Sequence, residues 1–369
     1  MKKYILFLNT AALMVVAAMM ASCGKDGPDT SGYTIYVSGQ YLGDDDYVGC
    51  YWKDSKRVDI PDRVANYGES DIFVSNGDVY LTGLRDISNN PNEKILIPCY
   101  WKNGVRTDLD ISGCRSGYAK RITVVNGKVY TSGEVVKATG AAWHQYETIP
   151  CYWINSERID AAGDFFVGND VYAYGTYDVE GIEPGEYPSP YLSPHACYWK
   201  NGVRTEILNS SPNYSLTKWR KMSSTPASIF VDNGKVYVAG INEYMPEDVS
   251  QITYETWYWV DGKMTIVETS KEWIGIKNIF VEKGIVYLHG RDESYEDCFW
   301  KDGSKTKGCG GSGLYVKDGI VFTTGARLEG SGFNAKLYPS YWVNTKRVEL
   351  PAPVKDYRSN NWGDYIFVE

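Results

Sequence analysis

Apolar residues in this chain fall into short runs separated by turn formers, and the runs recur. Ile72-Phe73-Val74 is followed by Asn76-Gly77 and then Val79-Tyr80-Leu81. Cys99-Tyr100-Trp101 is followed by Asn103-Gly104, and then Val105 and Leu109 alternate with Arg106 and Asp108. Apolar runs this short, joined by Asn-Gly, predict β-hairpins, because both central residues of a type I′ turn need φ > 0. Each unit is therefore two hairpins, with strands A, B, C and D.

The units repeat. Cys-Tyr-Trp-Lys-Asn-Gly-Val-Arg-Thr stands at 99–107 and again at 197–205. The tryptophan of this motif or a close variant recurs at Trp52, Trp101, Trp153, Trp199, Trp259, Trp300 and Trp342. A second motif, V-Y-x-x-G, places an aromatic at Tyr36, Tyr80, Tyr130, Tyr172, Tyr237, Tyr287 and Phe322. A third, the apolar strand A, ends at Val74, Val124, Val167, Val231, Val281, Val316 and Val368. Four short strands in every ~50 residues is the signature of a propeller blade.

Strand A is apolar on both faces, as expected between neighbouring blades. Strand D carries alternating charges, which discourage edge-to-edge pairing, so it belongs at the rim. The first unit begins with strand B, Thr34-Ile35-Tyr36-Val37, and the last run, Tyr365-Ile366-Phe367-Val368, is a strand A without a B. These two pieces complete one blade between them. The expectation is an all-β, seven-bladed β-propeller over residues 33–369. Its ring closes by pairing the C-terminal inner strand with the N-terminal strands.

On these motifs the chain resembles seven-bladed β-propellers and, in its V-Y-x-x-G … Y-W spacing, is distantly similar to kelch repeats, although it lacks their double glycine. It looks closest to propeller lipoproteins of Gram-negative bacteria. That resemblance implies a fold and no activity.

The first residues stand apart from the repeat. Lys2 and Lys3 precede an apolar stretch from Tyr4 to Met20, and Met20-Ala21-Ser22-Cys23 follows. This resembles a bacterial lipobox, which implies a signal peptide over 1–22, acylation of Cys23 and a flexible tether over 23–32. Acyl chains on Cys23 would hold the domain at a membrane, each buried methylene adding about 0.8 kcal/mol. The expected address is therefore an exported lipoprotein of the outer membrane, facing the periplasm or the surface.

Composition fits a globular chain: 369 residues, 43% hydrophobic and 14% aromatic. Removing the leader with its two lysines shifts the formal charge from −8 to about −10. No basic stripe is present, so nucleic acid is not an expected partner. The chain is expected to be a monomer, without a cofactor.

The repeat also explains residues that would otherwise invite functional readings. Cys50, Cys99, Cys151, Cys197 and Cys298 share one position on strand C of different blades, beyond the ~7 Å Cα limit for a disulfide. They read as buried small fillers, and Cys114 and Cys309 sit off the pattern. No C-x-x-C spacing occurs, and no metal site is expected. Asp44-Asp45-Asp46 and Asp292-Glu293 read as solvated loop acids.

Both hairpin turns point to one face, while the B–C and D–A connections point to the other and are long and irregular. Variable loops on a rigid scaffold collect binding residues. Trp143, Trp219, Trp273 and Trp362 lie there outside the repeat, with Tyr187 and Tyr244 among the accompanying tyrosines; rigid amphipathic rings suit sugar faces or protein partners. Asp71, Arg121, Asp164, Ser228, Asn278, Gly313 and Tyr365, each just before a strand A, are expected around the channel mouth. They would grip a small polar ligand or hydrate a water-filled channel.

The expected role is a membrane-anchored, non-catalytic binding module for a glycan or an envelope protein. Two alternatives remain. One is a carbohydrate-active hydrolase or lyase at the channel mouth; the other is a structural scaffold in an envelope complex. His144 and His195 lie in B–C connections of adjacent blades. Arg85, Arg291 and Arg327 each follow strand B, an arrangement distantly similar to the arginine cluster of sialidases, without the S-x-D-x-G-x-T-W box.

Overall fold

In the computed structural model, the described residues are 28–43, 47–64, 70–88, 95–140, 146–160, 165–167, 170–180, 192–207, 219–246, 251–330, 336–352 and 362–369. The expected signal peptide over 1–22, Cys23 and the first part of the expected tether lie outside them. The described chain forms 28 strands, from β1 (Ile35–Leu42) to β28 (Trp362–Val368). They group into seven four-stranded antiparallel blades. The protein is a seven-bladed β-propeller.

The inner strands are β28, β4 (Ile72–Ser75), β8 (Ser116–Val125), β12 (Phe165–Val167), β16 (Trp219–Asp232), β20 (Gly275–Glu282) and β24 (Leu314–Lys317). Blade 1 closes the ring. In it β28 pairs with β1 through Ile35–Val368, Tyr36–Phe367 and Val37–Ile366. Thr34 and Glu369 exchange both backbone hydrogen bonds at 3.0 Å. Blades 1 and 2 are further bridged at Val64–Leu84.

The Asn-Gly turns take the conformation their chemistry favours. Asn76 and Gly77 have φ of 52° and 79°, and Asn103 and Gly104 have 50° and 81°. The C–D turn also caps strand B: Asn103 Oδ1 accepts from the Val79 N–H at 2.8 Å, and Asn344 Oδ1 from the Val321 N–H at 3.1 Å.

The apolar core lies between blades. One cluster joins Tyr36 and Ile60 of blade 1 to Ile72, Leu81 and Trp101 of blade 2. Another joins Phe322 and Val343 of blade 7 to Ile35, Trp52 and Ile366 of blade 1. The strand C tryptophans add directed bonds: Trp52 Nε1 donates to Pro351 O at 2.9 Å, and Trp153 Nε1 to Asp110 O at 2.8 Å. The five strand C cysteines are buried and free, as is Cys309; Cys114 is free and half-buried. Blade 5 places the buried Trp257 at the cysteine position.

The glycine of V-Y-x-x-G is explained by a close backbone approach. A Cβ on Gly133 would stand 1.8 Å from Tyr118 O, and one on Gly290 would stand 1.8 Å from Gly275 O. Immediately afterwards the inner strand bulges: the register skips one residue between Ala119 and Arg121, between Pro226 and Ser228, and between Ile276 and Asn278. Bulges re-aim side chains at sheet ends. Here they turn Arg121, Ser228 and Asn278 toward the axis.

Candidate functional site

The bulge leaves backbone groups unpaired by the ladder, and the residue before the V-Y-x-x-G glycine satisfies them. In blade 2, Thr82 Oγ1 accepts from the Asp71 N–H at 2.8 Å and donates to Lys120 O of blade 3 at a longer 3.5 Å. In blade 7, Thr324 Oγ1 accepts from the Gly313 N–H at 2.8 Å and donates to Asp364 O of blade 1 at 2.8 Å. Ser38 Oγ does the same between the Tyr365 N–H and Ser70 O. Tyr174 donates to Ala227 O of the next blade at 2.7 Å. These side chains latch blades 1, 2, 4 and 7 each to the next blade, just below the channel mouth.

At the sixth blade the latch is a histidine. His289 is fully buried, and its Nε2 bonds Gly310 O of blade 7 at 2.6 Å. A carbonyl only accepts, so the proton sits on Nε2 and Nδ1 is the acceptor. Asn278 Nδ2 donates to that Nδ1 at 3.3 Å and to Ser312 O at 2.9 Å. Burial, with the Lys277 ammonium adding to it, pushes His289 down to about 4, against the Gly310 carbonyl and Asp297, so the ring is neutral at pH 7.

The oriented Asn278 presents Oδ1 to the channel, and Arg121 Nη2 donates to it from blade 3 at 3.2 Å. The guanidinium also lies over the Tyr365 ring, 4.3 Å from its centroid. Asp71 is held from both sides: its Oδ1 accepts from the Ile72 N–H and its Oδ2 from the Ile122 N–H of the next blade, both at 2.9 Å. Asp71, Arg121, Ser228, Asn278 and Tyr365 thus share the rim of one central cavity of about 510 Å³. Asp164, expected in the same ring, lies outside the described residues.

The loop aromatics separate into several cases. Trp143 and Tyr187 lie outside the described residues. Trp219 opens β16 opposite Pro246, and Trp362 opens β28 opposite Gln40; nothing is described of their side chains. Tyr244 corrects the expectation of a surface ring: it is fully buried, and its hydroxyl donates to Glu255 Oε2 at 2.8 Å and accepts from Asn242 Nδ2 at 3.1 Å. Strand B of blade 5 runs on to Pro246, so Tyr244 sits inside a long hairpin and serves a buried polar cluster.

Trp273 stays at the surface, 41% exposed, between β19 (Lys263–Ser270) and β20. Its indole covers Gly275, where a Cβ would stand 2.4 Å from the ring. Tyr295, 62% exposed, stacks with it at a centroid separation of 6.1 Å and an interplanar angle of 17°. Tyr295 has φ of 60°, a region that bulky residues rarely enter. The turn that imposes this is tied to Asp292, whose Oδ1 accepts from the Ser294 N–H at 2.9 Å and the Glu296 N–H at 3.2 Å.

Asp292 is itself a correction. Expected as a solvated acid, it is fully buried; burial raises its carboxyl, yet Lys307 and the two N–H donors hold it below the usual range. The Asp44–Asp46 triplet lies outside the described residues. The arginines after strand B each have acidic partners. Arg85 pairs with Asp108 at 2.6 Å, Arg291 with Asp297 at 3.0 Å, and Arg327 with Glu329 at 2.8 Å and Glu349 at 3.4 Å, each within its own blade. His195 stands opposite Tyr177 in the B–C ladder of blade 4, and His144 lies outside the described residues.

Comparison with known proteins found no matching family model and no matching curated protein. Among solved structures, the chain is similar to the β-propeller domain of the Trilobed protease from Pyrococcus furiosus, with 12% identity, a TM-score of 0.48, and coverage of 88% of this chain and 95% of that one. It is also similar to Pyrococcus horikoshii acylaminoacyl peptidase, with 13% identity, a TM-score of 0.47, and coverage of 88% and 52%. Trypanosoma rangeli sialidase gives 10% identity, a TM-score of 0.35, and coverage of 80% and 49%. The chain spans about half the length of the last two. None of these likenesses bears on chemistry.

Sequence reasoning missed the latch residues and Tyr295. The latch position was readable as one column of the repeat, Ser38, Thr82, Ser132, Tyr174, Ala239, His289 and Thr324, in which six of the seven side chains carry a polar atom. Tyr295 carried no repeat signal at all.

Proposed function

We propose that the chain is an exported, lipid-anchored binding module that holds a glycan, without turning it over, on the face carrying the B–C and D–A connections. The observation that supports this is the Trp273–Tyr295 pair: two exposed rings, stacked, one seated on glycine backbone and the other held by a capped turn. An aromatic face matches the C–H face of a sugar ring, and a side chain with two χ angles loses little entropy on binding. Each such contact is worth about 1 kcal/mol or more.

Affinity electrophoresis of the lipid-free chain against a panel of polysaccharides tests this reading. Retardation by one class of glycan is expected, with no release of reducing ends, and Trp273→Ala and Tyr295→Ala should each weaken binding about tenfold. Release of reducing ends that is lost in Asp71→Asn would replace it with a hydrolase. Saturable capture of a single envelope protein, with no glycan signal, would replace it with a scaffold. Palmitate labelling that disappears in Cys23→Ala tests the anchor.

A further inference from the structure

The central cavity has two bands of different chemistry, and the deeper one is aromatic. Below the polar rim, Ile72, Ile122, Ile229, Ile279 and Ile366 turn back into the blades and are buried. One residue further, Phe73, Phe367, Tyr315, Phe280 and Phe230 turn toward the axis and stay half-buried, although the residues on either side in their strands are mostly buried. They form an arc. Successive ring centroids are 5.0 Å apart for Phe73–Phe367, 5.2 Å for Phe367–Tyr315, 5.1 Å for Tyr315–Phe280 and 4.7 Å for Phe280–Phe230. Blade 3 places Thr123 at this level, and Tyr174 reaches the cavity wall from strand B of blade 4.

This wall differs from the water-filled channel that the polar rim by itself would imply. Water against five aromatic rings forgoes the hydrogen bonds it makes elsewhere, and an apolar group entering the cavity removes that surface from water. The volume, about 510 Å³, lies within the range of small-molecule sites, which pair an apolar wall with a few placed polar groups. The rim supplies such groups: Arg121, a planar fork of donors suited to a carboxylate, is held by Asn278 and Tyr365 at the opening. Asn278 is in turn fixed by His289 and Ser312, so the fork is oriented before anything binds.

We propose that the central cavity is a binding site for a small planar aromatic acid, its ring system within the aromatic arc and its carboxylate at Arg121. This site is separate from the surface platform and stands independently of the glycan reading. Recognition is amphipathic: the arc selects a flat apolar body, and the rim selects an acceptor head. A ligand of the same shape with a cationic head is disfavoured by Arg121.

The test uses the lipid-free chain with 2-naphthoate as the probe and 2-naphthylmethylammonium as the control of opposite charge. Calorimetry is expected to give a dissociation constant of about 1 mM or tighter for naphthoate, the range a compact ligand of this size reaches. The ammonium should bind at least tenfold more weakly. Arg121→Gln should remove that preference, and Phe280→Leu should weaken naphthoate about fivefold. Because an inner-strand variant can disturb the blade, intermolecular NOEs from naphthoate to phenylalanine ring protons in the unmodified protein give a second reading. No binding at 10 mM, equal binding of both probes, or NOEs only to residues outside the cavity would overturn the proposal.

Discussion

Arg121 of the third blade and Asn278 of the sixth meet across the channel, Nη2 to Oδ1, at 3.2 Å. Two blades lie between them one way round the ring and three the other, so this one hydrogen bond ties nearly opposite sides. It also links the rim to the blade interior, because Asn278 is oriented by the buried His289 and the Ser312 carbonyl.

A double-mutant cycle measures that tie directly. Arg121→Leu, Asn278→Leu and the double variant should show a coupling energy of about 1.5 kcal/mol in urea unfolding, the lower end for a hydrogen bond to a charged group because this one is only part-buried. Strictly additive effects would mean that the two side chains do not meet in solution.

The latches should contribute to stability in proportion to the groups they satisfy. Thr324→Val keeps the shape of the side chain but leaves the Gly313 N–H and Asp364 O without Oγ1. Two buried backbone groups lose a partner, so a loss of about 1–3 kcal/mol is expected in chemical unfolding. A variant as stable as the parent would show that these groups find other partners. The junction from blade 5 to blade 6 carries Ala239 at the latch position and has no such bond to lose.

Acid should weaken the fold through His289. Its ordinary value of 6.5 is the unfolded one, and burial brings the folded value to about 4. Above pH 6.5 both states hold the ring neutral. Below it the unfolded chain takes up a proton that the folded chain refuses, so stability falls as pH drops from 6.5 to 4, by about 3 kcal/mol across the window. Unfolding free energies at pH 7, 6 and 5 should show this slope, and His289→Gln should flatten it whatever its effect at pH 7.

Thiol labelling should separate the cysteines sharply. Burial pushes Cys151 and Cys309 up to about 12 and Cys197 to about 11, and it raises Cys99 and Cys298 as well. These thiols carry almost no thiolate at pH 8 and are sealed within the blades. Half-buried Cys114, beside Arg158 Nη1 at 3.5 Å, should label first among the described cysteines, with the others following only on unfolding. Mass spectrometry of peptides after timed labelling reads the order; rapid modification of Cys99 would contradict it.

The ring and its seam were legible in the chain because local chemistry left few choices. Asn-Gly permits the tight turn, the V-Y-x-x-G glycine admits a backbone carbonyl, and the unmatched strands at 34–37 and 365–368 complete each other. The interior chemistry was less legible. Strand periodicity says that Phe73 and Phe280 lie opposite Ile72 and Ile279, but it does not say that this face of five blades converges on one axis as an aromatic arc. Tyr244 reads as a loop tyrosine until the length of its hairpin is known. Arg85 and Arg327 read only as basic residues that follow strand B, and nothing in the chain says that Asp108 and Glu349 pair with them within their own blades. A sequence shows which residues a strand carries, and only the ring shows what they face.

The seam has a mechanical consequence. β1 is flanked on both sides, by β28 through Val368, Phe367 and Ile366 and by β2 (Tyr47–Lys53) from Tyr36 to Leu42. A pull arriving through residues 28–34 acts along β1, so both ladders carry the load in shear, all rungs at once, instead of unzipping rung by rung. The point at which a membrane tether would tug is thus among the places where the ring yields least readily to force.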